Sequence, residues 1–319
     1  MALTSWSSSE LSARLTPPLD SDVAVIFKNL AALSEEDQTG KQRREAQLEE
    51  LAALLTAPDH ATFKSFTPDV AELLINPDHN AHRNRDLAIL CRSLVRMGYR
   101  YSDEVFHSPP SPSEKSSERV AYLQNHFTDD AYFILTSHLK NPSAAYFASI
   151  SDVCEEVYHG LCEFCILPIE SSEDGKLLRF YALIEKFDLK IVAVCDLENA
   201  NGSYTRYALL RHKYVSFPTF EDSGTVFSEF DVITNSELSL SEILLTAELL
   251  GHRLVRADAL PLPYRTDTYR YGLVFSSEQA VRYTDSEPSR EESIEAFLLY
   301  LSLMAAEWSS LGIYSKIQE

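Results

Sequence analysis

Three shortages frame this 319-residue sequence. No uninterrupted apolar run approaches the ~20 residues that a helix needs to cross a bilayer. Basic residues are outnumbered, 28 Lys and Arg against 48 Asp and Glu, and no basic cluster breaks the formal charge of −20. Broad electrostatic binding to nucleic acid or to an acidic membrane is therefore excluded, because either surface repels such a chain. Glycine is the third shortage, with nine residues, so each one can mark a site where the backbone needs it. The segment Met1 to Glu10 is polar rather than basic and then apolar, which makes the cytoplasm the expected location.

Cysteine is scarce and odd in number: Cys91, Cys154, Cys162, Cys165 and Cys195. An odd set in a long chain fits reduced, buried thiols better than a disulfide framework. Cys162 and Cys165 have the C-x-x-C spacing, but the segment reads as a strand entering Pro168, where residues three apart face opposite ways. His79 and His82 form an H-x-x-H with no obvious third ligand. No metal and no cofactor are expected.

What the chain does have is 45% hydrophobic residues, enough to fill more than one core. Residues 1–106 read as a helical domain. Val23, Ile26, Phe27, Leu30 and Leu33 recur at helical spacing, as do Leu48, Leu51 and Leu55, then Leu87, Leu90, Leu94 and Met97 before Gly98. Residues 107–118, rich in Ser and Pro, form a linker. Residues 119–215 then alternate strands (Val120–Leu123, Glu163–Leu167, Leu189–Cys195, Tyr204–Arg211) with helices (Asp129–Leu139, Ser149–Tyr158, Gly175–Phe187), the pattern of an α/β sheet. Residues 227–319 read β-α-β-β-α-β: Phe230–Thr234, Ser239–Leu250, Arg253–Leu260, Thr268–Ser276, Arg290–Ser309 and Ile313–Ile317. That is the order of a ferredoxin-like sandwich.

Within the α/β segment, Ile166 to Gly175 reads I-L-P-I-E-S-S-E-D-G, and Ser203-Tyr204-Thr205-Arg206-Tyr207 follows about thirty residues later. A strand ending in Pro and Glu that opens a helix with hydroxyl side chains would make a small anion pocket. The Thr-Arg pair would add a hydroxyl and a fixed positive charge.

Together the two segments resemble the P-I-E-N-S-x-x-G and N-x-T-R-F signatures of the prephenate dehydratase family, with Ser171, Ser203 and Tyr207 as substitutions. Gly160, Gly175, Gly251 and Gly312 fall in register with that family and with the ACT regulatory domain that follows it. The resemblance implies three parts: a helical N-terminal domain, one lobe of a periplasmic-binding-protein-like α/β fold, and an ACT-like sandwich. It also implies decarboxylative dehydration of prephenate to phenylpyruvate in phenylalanine metabolism. In that reaction Thr205 assists hydroxyl departure, Arg206 pairs with a carboxylate and Glu170 orients the site. Ser171, Ser172, Thr128, Gln124, Asn125 and Tyr207 complete the binding set, and the partner is a small anionic aromatic-pathway ligand.

The sequence departs from the family in three places. Gln124-Asn125-His126-Phe127-Thr128 replaces a glycine-rich loop, and Asp196 to Gly202 stands where the family inserts a second lobe. At the ACT-like regulatory positions, Leu238-Ser239-Leu240 replaces G-A-L and Asp258-Ala259-Leu260-Pro261 replaces E-S-R-P. The alternative reading is thus a non-catalytic small-molecule sensor or interaction protein derived from the family. A chorismate mutase precedes the dehydratase in some relatives, but Lys41, Arg43, Arg44, Arg83, Arg85 and Arg92 give no convincing dicarboxylate grip in residues 1–106. A four-stranded sheet with helices on one face leaves a face or edge uncovered, which makes a homodimer through residues 227–319 the expected assembly.

Overall fold

A computed structural model of the chain describes residues 38–55, 80–99, 118–198, 202–213, 225–234, 239–261, 269–278, 289–304 and 307–317. These residues form a mixed α/β structure. Its strands are β1 (Glu118–Leu123), β2 (Pro142–Phe147), β3 (Phe164–Ser171), β4 (Gly175–Lys176), β5 (Leu189–Glu198), β6 (Tyr204–His212), β7 (Thr225–Thr234), β8 (Arg253–Pro261), β9 (Tyr269–Glu278) and β10 (Glu307–Lys316). Its seven described helices are α1 (Gln38–Leu55), α2 (Asn80–Arg96), α3 (His126–Leu135), α4 (Ile150–Tyr158), α5 (Leu178–Lys186), α6 (Leu240–Leu249) and α7 (Arg290–Met304). The helix expected over Val23 to Leu33, His79 of the H-x-x-H pair and the 107–117 part of the linker lie outside the described residues, whereas His82 falls on α2. None of the described helices is long and apolar enough to cross a membrane.

The described elements divide into two compact units that do not follow the three consecutive segments read from the sequence. One holds α1, α2, α6 and α7; the other holds all ten strands with α3, α4 and α5. In the helical unit, α1 buries Leu48, Leu51 and Ala52, and α2 buries Leu87, Leu90, Cys91 and Leu94. Arg44 grips Asp86 with Nε and Nη2 (2.9 and 2.5 Å), and Arg85 donates to Glu45 at 2.9 Å. Two cations of the candidate dicarboxylate grip are thus occupied in structural ion pairs. Helix α7 buries Ile294, Phe297, Leu298, Tyr300 and Leu301, side chains that point in several directions around the helix.

His252, just after α6, is 2% exposed; its Nε2–H donates to the Ser293 carbonyl at 3.0 Å and its ring lies 5.4 Å from that of Phe297. Burial pushes its pKa down from 6.5 to about 4. Above pH 6.5 the ring is neutral in both folded and unfolded chains. Between 6.5 and about 4 only the unfolded chain takes up the proton, so stability falls as pH falls through that window. The expected loss between pH 7 and 4.5 is about 2–3 kcal/mol. Urea unfolding at both pH values checks this: a His252→Gln variant should lose clearly less than the parent, and an equal loss would remove His252 as the cause.

The strand unit is a single mixed sheet with the order β2-β1-β3-β6-β5-β10-β7-β9-β8, and β4 pairs with β3. Strands β2, β1 and β3 are mutually parallel, and β6 runs antiparallel to both β3 and β5. The joint that makes the sheet continuous is β5 with β10, a parallel pair that brings Ile191 opposite Gly312. Segments read as separate from one another are therefore hydrogen-bonded along one ladder. One face of the sheet carries Cys165, Leu167, Ile169, Ile191, Val194, Ala208 and Leu210 under Val153 of α4 and Ile184 of α5. The other carries Val120, Ile166, Cys195, Tyr207 and Leu209 under Ala131 and Leu135 of α3. All five cysteines are buried and free, as the sequence suggests. Cys162 precedes β3 rather than lying in it, so it shares one apolar cluster with Cys165 instead of facing the opposite way.

Several local readings change. The helix read to Ser309 ends at Met304, and residues 307–309 instead open β10, which is longer than the strand read over Ile313–Ile317. The helix read over Asp129–Leu139 starts earlier, at His126 behind its Asn125 cap, and ends at Leu135, and Glu118 belongs to β1 rather than to the linker. Strand β2 was not legible, because P-S-A-A-Y-F has no clear alternation and a leading Pro. Helix α5 starts at Leu178, not Gly175: Gly175 takes φ +70° and begins the two-residue β4. The last four strands, β10-β7-β9-β8, follow the order of a ferredoxin-like sheet, but the expected uncovered surface is partly occupied within the chain. β10 is paired by β5, and the β7-β9-β8 face meets β4 and α5 through Lys176–Glu229 and Glu185–Arg270. The β8 edge remains, bearing a bulge between Leu254 and Arg256 and ending in Pro261, two features that discourage strand addition.

Candidate functional site

The two motifs meet across one antiparallel pair, with Glu170 opposite Arg206 and Ser171 opposite Thr205. Successive strand residues face opposite sides, so Thr205 and Arg206 cannot share a pocket. The register slips between Pro168 and Glu170, a bulge that gives Ile169 no partner of its own. Without it Glu170 would share a face with Pro168; with it Glu170 points with Ile169 toward Arg206. One motif therefore serves two surfaces.

On the α5 side is an ionic network. Arg206 donates Nε to Asp196 Oδ1 at 2.7 Å, Nη2 to Asp196 Oδ2 at 3.0 Å and Nη1 to Glu170 Oε2 at 3.1 Å. Glu170 Oε2 also accepts from Arg256 Nη1 at 2.9 Å, and Glu170 Oε1 from the Tyr204 hydroxyl at 3.3 Å. Lys316 sits 2.7 Å from Asp196, and Arg256 Nε lies 3.0 Å from Asp258. Burial alone would lower the Arg206 pKa, but the Asp196 hydrogen bonds and the charges of Asp196 and Glu170 hold it above the ordinary value. For Asp196, burial works to raise the pKa and the bonds from Arg206 and Lys316 overcome it, leaving it low. Every carboxylate here has a cation and every cation a carboxylate. Beside it, Glu229 (1% exposed) accepts from Lys176 at 3.0 Å, Tyr314 at 3.2 Å and Tyr181 at 3.4 Å.

On the α3 side an open cleft of about 660 Å³ is lined by Phe127, Pro168, Ser171, Leu177, Thr205 and Tyr207, with Glu173, Asp174, Arg179 and Ser203 around them. Three of the expected residues, Ser171, Thr205 and Tyr207, come together here. Ser171 ends β3 rather than starting a helix, and its Oγ accepts the amides of Glu173 and Asp174 at 3.1 and 3.3 Å. The Ser172 amide bonds the Tyr204 carbonyl, and Ser172 Oγ accepts the Tyr204 amide, both at 2.9 Å. The helix-terminus anion pocket expected at Ser171 and Ser172 is not formed, because these groups build a β-turn between β3 and β4.

Asn125, Thr128, Ser239 and Asp258 have structural partners. Asn125 and Thr128 make a reciprocal capping box at the start of α3, and Thr128 also donates to the Leu123 carbonyl. Gln124 is exposed beside them. Ser239 caps α6 in a second capping box with Glu242, Leu240 opens that helix, and Asp258 pairs with Arg256 on β8. Leu238 lies outside the described residues. Sequence reasoning missed Arg256, Asp196 and Lys316, which lie on strands far apart in the chain and carry no motif. Among the described residues no cluster of His, Cys, Asp and Glu could hold a metal ion.

No protein-family model matches the chain, and no match is found among curated proteins. Several solved structures are similar in outline. Prephenate dehydratase from Streptococcus mutans shares 20% identity over 63% of this chain and 100% of its own, with a TM-score of 0.49. GqqA, described as a quorum-quenching acylase, shares 14% over 63% and 96%, with a TM-score of 0.45. A prephenate dehydratase from Arthrobacter aurescens in complex with L-Phe shares 13% over 62% and 90%, with a TM-score of 0.43.

Proposed function

We propose that the chain is a prephenate-dehydratase-like protein whose lobe binds a small molecule without dehydrating prephenate. The observation that carries this reading is Arg206. A dianionic substrate needs a cation with free hydrogen-bonding capacity facing the reacting group. Arg206 is instead committed to Asp196 and Glu170, on the face of the sheet opposite Thr205. Around Thr205 the cleft offers Arg179 against Glu173 and Asp174, a balance that disfavours a dianion. The motif resemblance supports descent from the family, and the β10-β7-β9-β8 order supports the ACT-like reading of the last segment.

Purified full-length protein incubated with prephenate at neutral pH should form phenylpyruvate no faster than buffer alone. Lost preorganised donors and lost water exclusion each cost orders of magnitude in rate. Turnover at ordinary enzyme rates, abolished by Thr205→Val, would overturn the reading.

A further inference from the structure

We propose that the outer edge of β2 is an assembly seam, at which a second copy of this chain adds its own β2 antiparallel about a two-fold axis. Among the described residues the sheet ends in two strands, β2 and β8. An open edge presents unpaired backbone donors and acceptors, and chains guard such edges with charge, proline or bulges. β8 is guarded by its bulge, by Pro261 and by Arg253. β2 has no such guard. Its six residues pair with β1 without a break in register, its one proline is the first residue, and residues 141–151 contain no charged side chain.

The surface beside that edge is apolar and exposed. Pro142, Ala144 and Tyr146 lie on the side of β2 opposite to Ala145, which packs into the cluster under α4, and all three are exposed, Tyr146 by 52%. From Tyr146 a run of ring contacts leads through Tyr122 (5.1 Å) and Tyr132 (5.1 Å) to Phe133 (5.7 Å) on α3, which is 70% exposed. Phe133 and Tyr146 of two copies together hold on the order of 500 Å² of exposed aromatic surface. The paired edges, with Pro142 and Ala144, bring the total to about the 1,000 Å² that a specific interface needs.

Charge selects a second copy as the occupant. A chain of net charge −20 repels its own copies over most of its surface, so self-association is least opposed across a neutral seam. The charged residues that bound this seam are Lys140 and Asp152, opposite in sign, both exposed and neither ion-paired among the described residues. Antiparallel pairing sets the Lys140 end of each copy beside the Asp152 end of the other. The patch thus complements itself, as an isologous contact requires. Parallel addition would bring like ends together.

Light scattering from the full-length protein at micromolar concentration should report twice the chain mass. Ala144→Lys, at an exposed position, should report the chain mass with an unchanged urea midpoint. Ala257→Lys, equally exposed on β8 and within the segment from which the sequence led us to expect pairing, should stay dimeric. A monomeric parent would leave the edge to a strand of another protein and overturn the proposal. So would a folded Ala144→Lys that remains dimeric, or a monomeric Ala257→Lys. Hydrogen exchange of the unaltered protein gives a second reading that needs no variant. Amides of 142–147 should exchange about tenfold or more slowly in concentrated than in dilute samples, while those of 253–261 stay constant. Exchange at 142–147 that ignores concentration would equally overturn it.

Discussion

Arg206→Gln is expected to destabilise the strand unit by about 2–4 kcal/mol. The guanidinium is the central cation of a network in which Asp196 is 16% and Glu170 14% exposed at the side chain. Removing it withdraws three hydrogen bonds from two largely buried carboxylates. Lys316 still reaches Asp196 and Arg256 still reaches Glu170, which keeps the cost below that of stranding a lone buried charge. Thr205→Val, one residue away and facing the open cleft, should change stability by less than about 1 kcal/mol. Urea unfolding followed by the fluorescence of Trp308 on β10 separates the two variants. If Arg206 were held in reserve for a ligand, Arg206→Gln would unfold at the parent's midpoint and the structural assignment would fail.

The same contrast marks what could be read from the sequence and what could not. Strands β3, β5 and β6 were legible because their apolar residues form short dense runs. The Gly160 stop after α4 was legible because its left-handed backbone favours glycine, whereas Ser239, read as the first residue of a helix, turns out to be its cap. Strand alternation alone already separates Thr205 from Arg206, so the sequence held the signal that the motif would divide between two faces. The bulge at Ile169 held no such signal. It depends on how β3 meets β6, and it decides whether Glu170 joins the cleft or the network. Arg256 and Lys316 were equally silent, since their partners lie 86 and 120 positions away in the chain. Charge pairs across a coiling sheet leave no local pattern, whereas a helix cap does.

The β5–β10 joint is the least legible feature, and it makes the sharpest prediction. Gly312 lies between Ile191 on β5 and Glu229 on β7, where the β10 ladder slips on both sides. A Cβ built there would stand 2.4 Å from the Ile191 carbonyl oxygen, 2.8 Å from its Cβ and 2.9 Å from its amide nitrogen. Two of those atoms are backbone, so relief requires the strands to separate rather than a side chain to turn. Gly312→Ala is therefore expected to cost about 3 kcal/mol or more, the upper range for overpacking. It should also loosen the hold on Glu229, whose carboxylate takes Lys176, Tyr181 and Tyr314. Gly160 provides the comparison in the same unit: its φ is +72° and an added Cβ would meet nothing within 4 Å. Gly160→Ala should thus cost only the left-handed strain of about 1–2 kcal/mol. Urea midpoints read from Trp308 should rank the parent first, Gly160→Ala second and Gly312→Ala well below both. A Gly312→Ala protein as stable as Gly160→Ala would mean that β5 and β10 do not form one ladder, and the continuous sheet would have to be abandoned.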